Sequence, residues 1–227
     1  LKISPKAVVP GLIHDGKIIN ESNAIIEYLD EVFNSPALMP ANPVDRATVR
    51  KWLIQLDAYL HTDIAFISFS IAFKHQILQT NNTPQKMEAF FAKIPNHNRA
   101  NQIREMITKG LESSYTLSAI LSYQKLLSDM ENTLEKRAWL ASDSISLADF
   151  AYAPYITRLE QLQLQNWWNN KPNISYWFSR ICATKAYQEG IVKWNNPKYL
   201  NLMKTKGLEL SPQISELVDA IQKKNLK

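Results

Sequence analysis

The sequence predicts an α+β protein in which a short ββα segment leads into an all-α domain. Three observations carry this. Asp15-Gly16 stands between two apolar stretches and signals a tight hairpin turn. Beyond residue 44, apolar residues recur at helical spacing over long stretches. Only 5 of the 227 residues are glycine, whereas Leu, Ile, Ala, Lys and Gln are common, a composition that favours helix.

Taken in order, residues 8–13 read as a strand and Lys17-Ile18-Ile19 as the strand that returns. Pro10 cannot donate to a ladder, so it marks an edge, a bulge or a cis bond. Residues 22–32 read as a helix, with Ala24, Ile25, Tyr28, Leu29 and Val32 at helical spacing. Three prolines in NSPALMPANP then mark a linker. The expected organisation is a first unit over 1–34, a linker over 35–43 and a helical domain over 44–227. Within the latter, residues 45–78 read as one long helix, 99–134 as a second and 146–161 as a third. Shorter helices cover about 173–182, 184–193 and 212–224, the last either a docked terminal helix or a frayed tail.

Lys and Arg number 26 against 21 Asp and Glu, and the two signs are interspersed, so the net charge of +5 reads as a solvated surface rather than a nucleic-acid stripe. A single cysteine, Cys182, excludes an internal disulfide and fits a reducing, cytoplasmic compartment. It lies in the helix-like apolar pattern WFSRICATKAY and reads as buried and inert. No apolar run reaches the length of a membrane span. The four histidines are scattered, with no metal-ligand spacing.

Two local signals carry chemistry. Ser146-Leu147-Ala148-Asp149 is a capping box with Asp in place of Glu, and it reads as structural. Glu21-Ser22 precedes the first helix. It reads as a cap, and as a binding site it would offer a hydroxyl and backbone N–H groups to a carboxylate and a Glu to an ammonium group. That combination suits an α-amino-acid head. Val9, before Pro10, would expose an N–H and a C=O to an extended peptide backbone. An amino-acid head on a peptide-like body describes glutathione.

The stretch ISPKAVVPGLIHDGKIINESNAIIEYLDE resembles the second half of the thioredoxin-like domain of cytosolic glutathione transferases. SISLADFAYAPYITRLE resembles the same family's segment in the helical domain. In detail the chain looks most like a bacterial subgroup that includes glutathione-dependent β-etherases. The resemblance implies a partial thioredoxin-like ββα segment and an all-helical C-terminal domain. It implies a cis Pro10, Val9 as backbone partner of the cysteinyl part, and Glu21 and Ser22 around the γ-glutamyl head. It puts Lys6 near the glycyl carboxylate, while Ala7 stands where some members have His or Gly. Ser142 departs from the family's usual Gly. The residue that activates the glutathione sulfur would precede Leu1, so the catalytic residue is left unassigned.

Glutathione as co-substrate, a small apolar or aromatic electrophile, a homodimer and a role in detoxification all follow from the same resemblance. The expected chemistry is thiolate attack on an electrophilic carbon, as conjugation, ether cleavage or dehalogenation. The second-substrate pocket would lie between the two units, with Tyr59, Phe66, Tyr115 and Tyr123 as candidates; aromatic residues at helical spacing are more often plain core. His61 and Asp63 are candidates for polarising a substrate oxygen, although a surface or core role fits them too. The rival readings are a non-catalytic binding module and a scaffold that docks a partner through the helical domain and the basic tail.

Overall fold

The computed structural model describes residues 9–33 and 35–225, with side chains up to residue 220. Strands β1 (Gly11–His14) and β2 (Lys17–Asn20) pair antiparallel, with Leu12 opposite Ile19 and Ile13 opposite Ile18. Asp15 and Gly16 supply the turn at φ 48° and 72°, the doubly left-handed geometry that matches strand twist. Helix α1 (Ser22–Val32) follows directly, with Ile25 as its buried anchor.

The connection to the helical domain is tied down. The Asp30 carboxylate accepts from the N–H groups of Leu38 and Met39 at 2.6 and 3.0 Å. Asn23 donates to the Leu53 carbonyl at 3.0 Å, and Arg50 pairs with Glu27 at 3.0 Å. These bonds fix α1 against α2 (Pro43–Gln55), which Asn42 caps by accepting from Val44 and Asp45.

Residues 43–80 are helical throughout, as the periodicity predicts, but not uniformly. α2 passes through a π-helical turn at Leu56–Leu60 into α3 (His61–Ser68), then through a second at Phe69–Phe73 into α4 (Lys74–Thr80). α5 (Pro84–Ala92) is capped by Thr83. The helix expected over 99–134 is two: α6 (His97–Lys109) and α7 (Ser114–Leu134), separated by a short 3₁₀ turn that begins at Gly110 with φ 58°. Periodicity carries through such a break because the apolar side resumes on the same face.

α8 (Leu147–Gln161) runs through the middle of the core, followed by α9 (Pro172–Cys182) and α10 (Lys185–Gly190). The last helix, α11, spans Pro197–Asn225 rather than starting at residue 212. Pro212 lies inside it. A proline there frees the carbonyl four residues back; that residue, Leu208, is 54% exposed, so water can take the freed acceptor. Met203, Ile214 and Val218 are buried, so α11 is docked and not frayed at these positions.

One core cluster joins α2, α3, α7, α8 and α9. Three of its buried polar tips bond to backbone carbonyls. Trp52 donates to the Leu140 carbonyl, Tyr152 to the Trp52 carbonyl and Tyr123 to the Leu60 carbonyl, each at 3.0 Å. None of the described helices is long and apolar enough to cross a membrane.

Candidate functional site

A cleft of about 780 Å³ opens where the ββα segment meets the helical domain. One wall carries Val9, Pro10, Glu21 and Ser22, so four of the five glutathione candidates come together. Lys6, the fifth, lies outside the described residues. The Val9–Pro10 bond is cis.

The N-terminus of α1 is built differently from a plain capped helix. Glu21 occupies the N-cap position at φ 70°, ψ 120°, and its carbonyl accepts from Ile25 at 3.0 Å. Among the described residues no side chain caps this end. The Glu21-Ser22 pair therefore does not cap through its side chains, contrary to the capping reading. Glu21 holds a left-handed backbone that a non-glycine residue adopts at a cost of order 1–3 kcal/mol, a kind of strain that clusters at ligand clamps. The orphan N–H groups of the first turn, with the helix dipole behind them, attract an anion.

The opposite wall comes from the first π-helical turn and α3 (Leu56, Asp57, His61, Ile64) and from one face of α8. Phe150, Ala151, Pro154, Tyr155 and Arg158 recur at helical spacing along that face, while Tyr152, Ala153, Ile156 and Leu159 point the other way into the core. His61 Nδ1 and the Tyr155 hydroxyl lie 3.0 Å apart. Burial, with the Asp57 carboxylate adding to it, raises the Tyr155 phenol. Arg158 is half-buried; its Nη1 donates to the Met203 sulfur at 2.6 Å, and burial lowers the guanidinium from the ordinary arginine range.

The four aromatic candidates do not meet in this cleft. Tyr123 is fully buried, bonded to the Leu60 carbonyl, and its phenol is pushed far up by burial. Phe66 and Tyr115 pack against each other, ring centroids 5.5 Å apart. Tyr59 is 38% exposed and lines a separate groove of about 810 Å³ between α2 and α7. Within the first π-helical turn and the residue after it, Leu56, Asp57 and His61 line the cleft while Tyr59 lines the other groove.

Asp63 separates from His61. It is buried, and burial raises its carboxyl. Sequence reasoning passed over Tyr155 and Arg158. The signal was available: Arg158 lies four and eight residues after Pro154 and Phe150 on one face of a largely apolar helix.

Ser146 and Asp149 form the structural box expected of them. The Asp149 carboxylate is fully buried and accepts from the Ser146 N–H and hydroxyl, the Leu140 N–H and the Trp177 indole at 2.8–2.9 Å. Burial raises this carboxyl, and the four donors pull against it. Cys182 is half-buried, and burial pushes its thiol up, away from the reactive thiolate. Among the described residues no group of His, Cys, Asp or Glu is arranged to hold a metal.

Comparison with known proteins accounts for both units. Residues 1–37 match the model of the glutathione S-transferase N-terminal domain, and residues 113–185 match that of the C-terminal domain. The chain is 29% identical over 195 residues to the protein LigF of Sphingobium sp. strain SYK-6, covering 83% of this chain and 75% of LigF. The crystal structure of that beta-etherase superposes with a TM-score of 0.69 at 28% identity, over 85% of this chain and 81% of the other. A tetrachloro-p-hydroquinone reductive dehalogenase of Sphingobium chlorophenolicum is 20% identical over 200 residues, 86% of this chain and 79% of its own length. Glutathione transferase F7 of Populus trichocarpa, at 22% identity and a TM-score of 0.62 over 86% of this chain and 79% of the other, shares the fold.

Proposed function

We propose, for a chain that belongs to the glutathione S-transferase family, an enzyme that brings glutathione and an electrophile together in the cleft between the ββα segment and the helical domain. Glutathione is the co-substrate. Its γ-glutamyl carboxylate meets the Ser22 hydroxyl and the N–H groups opening α1, its ammonium group meets Glu21, and the backbone of Val9 pairs with its cysteinyl unit. The observation that carries this reading is the single wall formed by Val9, Pro10, Glu21 and Ser22, at a helix end that no side chain among the described residues caps.

The sulfur then faces α3 and α8. The thiolate attacks an electrophilic carbon of an apolar or aromatic substrate, a C–S bond forms, and the leaving group departs with the electron pair of the broken bond. An aryl ether would release an aryloxide and an aryl or alkyl halide a halide ion. The relation to a beta-etherase favours the first of these. We assign His61, bonded to Tyr155 on the cleft wall, to hydrogen-bond the leaving oxygen. We also propose a homodimer formed through the groove between α2 and α7, where Ile54 is 68% exposed beside Tyr59.

The clamp is tested by titrating glutathione into the native protein and into Ser22→Ala, with thermal melts of both. A hydrogen bond to a charged group is worth about 1.5–3 kcal/mol, so affinity should fall about ten-fold or more. The melting temperature should hold, because the Ser22 side chain makes no cap bond. Unchanged affinity, or loss of affinity and fold together, sinks the assignment.

A further inference from the structure

We propose that Arg158 recognises an oxyanion on the second substrate, so that the preferred electrophile is an aromatic acid or phenolate rather than a neutral arene. This rests on the cleft being the meeting place of glutathione and an electrophile, and it names the class of that electrophile.

Three observations carry it. First, the guanidinium is half-buried yet unpaired: among the described residues no carboxylate comes within ion-pair distance. Asp57 lines the same cleft, yet no ion pair joins it to Arg158. An arginine keeps its charge at neutral pH, and a desolvated charge without a counter-ion is costly. Second, the protein contacts it has are soft ones, the Met203 sulfur at 2.6 Å and the Phe73 ring centred 5.6 Å from the guanidinium carbon. A thioether accepts weakly, so most of the five N–H donors stay available. Third, the surroundings are apolar: Phe150, Ala151, Pro154 and Ile64 share the wall. A ring seated on these side chains would carry its oxyanion to the guanidinium fork, whose planar geometry matches two oxygens at once. Glutathione's own amino-acid head is served from the other wall, by Glu21, Ser22 and the α1 N-terminus.

The test is ligand-detected NMR titration of 4-nitrobenzoate and its neutral isostere 4-nitrobenzamide into the intact native protein, Arg158→Gln and Arg158→Lys, with glutathione titrated separately. The native protein should bind the benzoate about ten-fold or more tightly than the amide. Arg158→Gln should bring that ratio close to one with the amide unchanged, and Arg158→Lys should keep part of the preference. The proposal is overturned if the native protein shows no preference, or if Arg158→Gln keeps it. Equal weakening of both ligands, with Arg158→Lys failing to restore either, makes Arg158 structural and also overturns it. Weakened glutathione binding with the benzoate unaffected would give the residue to glutathione instead. Failure of glutathione to bind the native protein, with the benzoate preference intact, would remove the transferase reading and leave the anion site standing.

Discussion

Asp63 and Asp149 are both buried carboxylates, and their partners set them apart. Asp149 meets four donors and ties the start of α8 to Leu140 and Trp177. Asp63 has the Ser122 hydroxyl to pull its pKa down, and that hydroxyl also donates to the Ser118 carbonyl at 3.1 Å. Burial raises the Asp63 carboxyl above its ordinary value, as it does that of Asp149. A carboxyl raised in the folded state holds its proton more tightly folded than unfolded. Its contribution is present below the ordinary value near pH 4 and is lost as pH rises through the raised folded value. Asp63→Asn, similar in shape but uncharged, should be more stable than the native protein at pH 7. The gap should close below about pH 4. Urea unfolding across that range measures it, and a gap independent of pH would rule out the charge as its cause. At this scale the chain was readable where neighbours in sequence make the bond, as in Ser146 and Asp149. It was unreadable for Glu21, because a left-handed φ at a non-glycine residue has no signature in residue type.

Several helix ends and turns were legible to within a few residues: Asp15-Gly16 as the hairpin turn, Ser22–Val32 as a helix, Ser146 as the cap of α8; the start of α11 at Pro197 was not. Interruptions inside helices were not. The two π-helical turns and the break at Gly110 preserve the apolar rhythm on either side, so periodicity reads straight through them. Close approach of elements was equally invisible. At Gly207 a Cβ would stand 2.1 Å from the Leu162 carbonyl oxygen, so α11 reaches the end of α8 only because that side chain is absent. Gly207→Ala should destabilise the fold by about 2 kcal/mol or more, since backbone must move to admit the methyl group. Gly190→Ala is the control: a Cβ there meets nothing within 4 Å, and stability should hold or rise slightly. Equal effects in denaturant melts would show that close packing at residue 207 does not control stability.

For the whole molecule, the cleft arises from an arrangement of three parts: the end of the hairpin with the start of α1, the first π-helical turn with α3, and one face of α8. The groove between α2 and α7 lies apart from it. If two copies join through that groove, light scattering in solution should return twice the single-chain mass, and Ile54→Asp should return the single-chain value with glutathione affinity unchanged. A single-chain mass for the native protein rejects the pairing.

Local signals, each a few residues long, were sufficient for the α+β class, the hairpin, α1, the box at α8 and the proposed clamp residues Val9, Pro10, Glu21 and Ser22, which share one cleft wall. Caps, turns and short recognition motifs act between near neighbours, so residue order encodes them directly. The opposing wall was decided by packing. Which aromatic side chains reach the cleft depends on the rotation of each helix about its axis: around Leu56–Leu60, Tyr59 lines the other groove and His61 the cleft. Tyr155 and Arg158 line the cleft because α8 buries its other face and is left with this one.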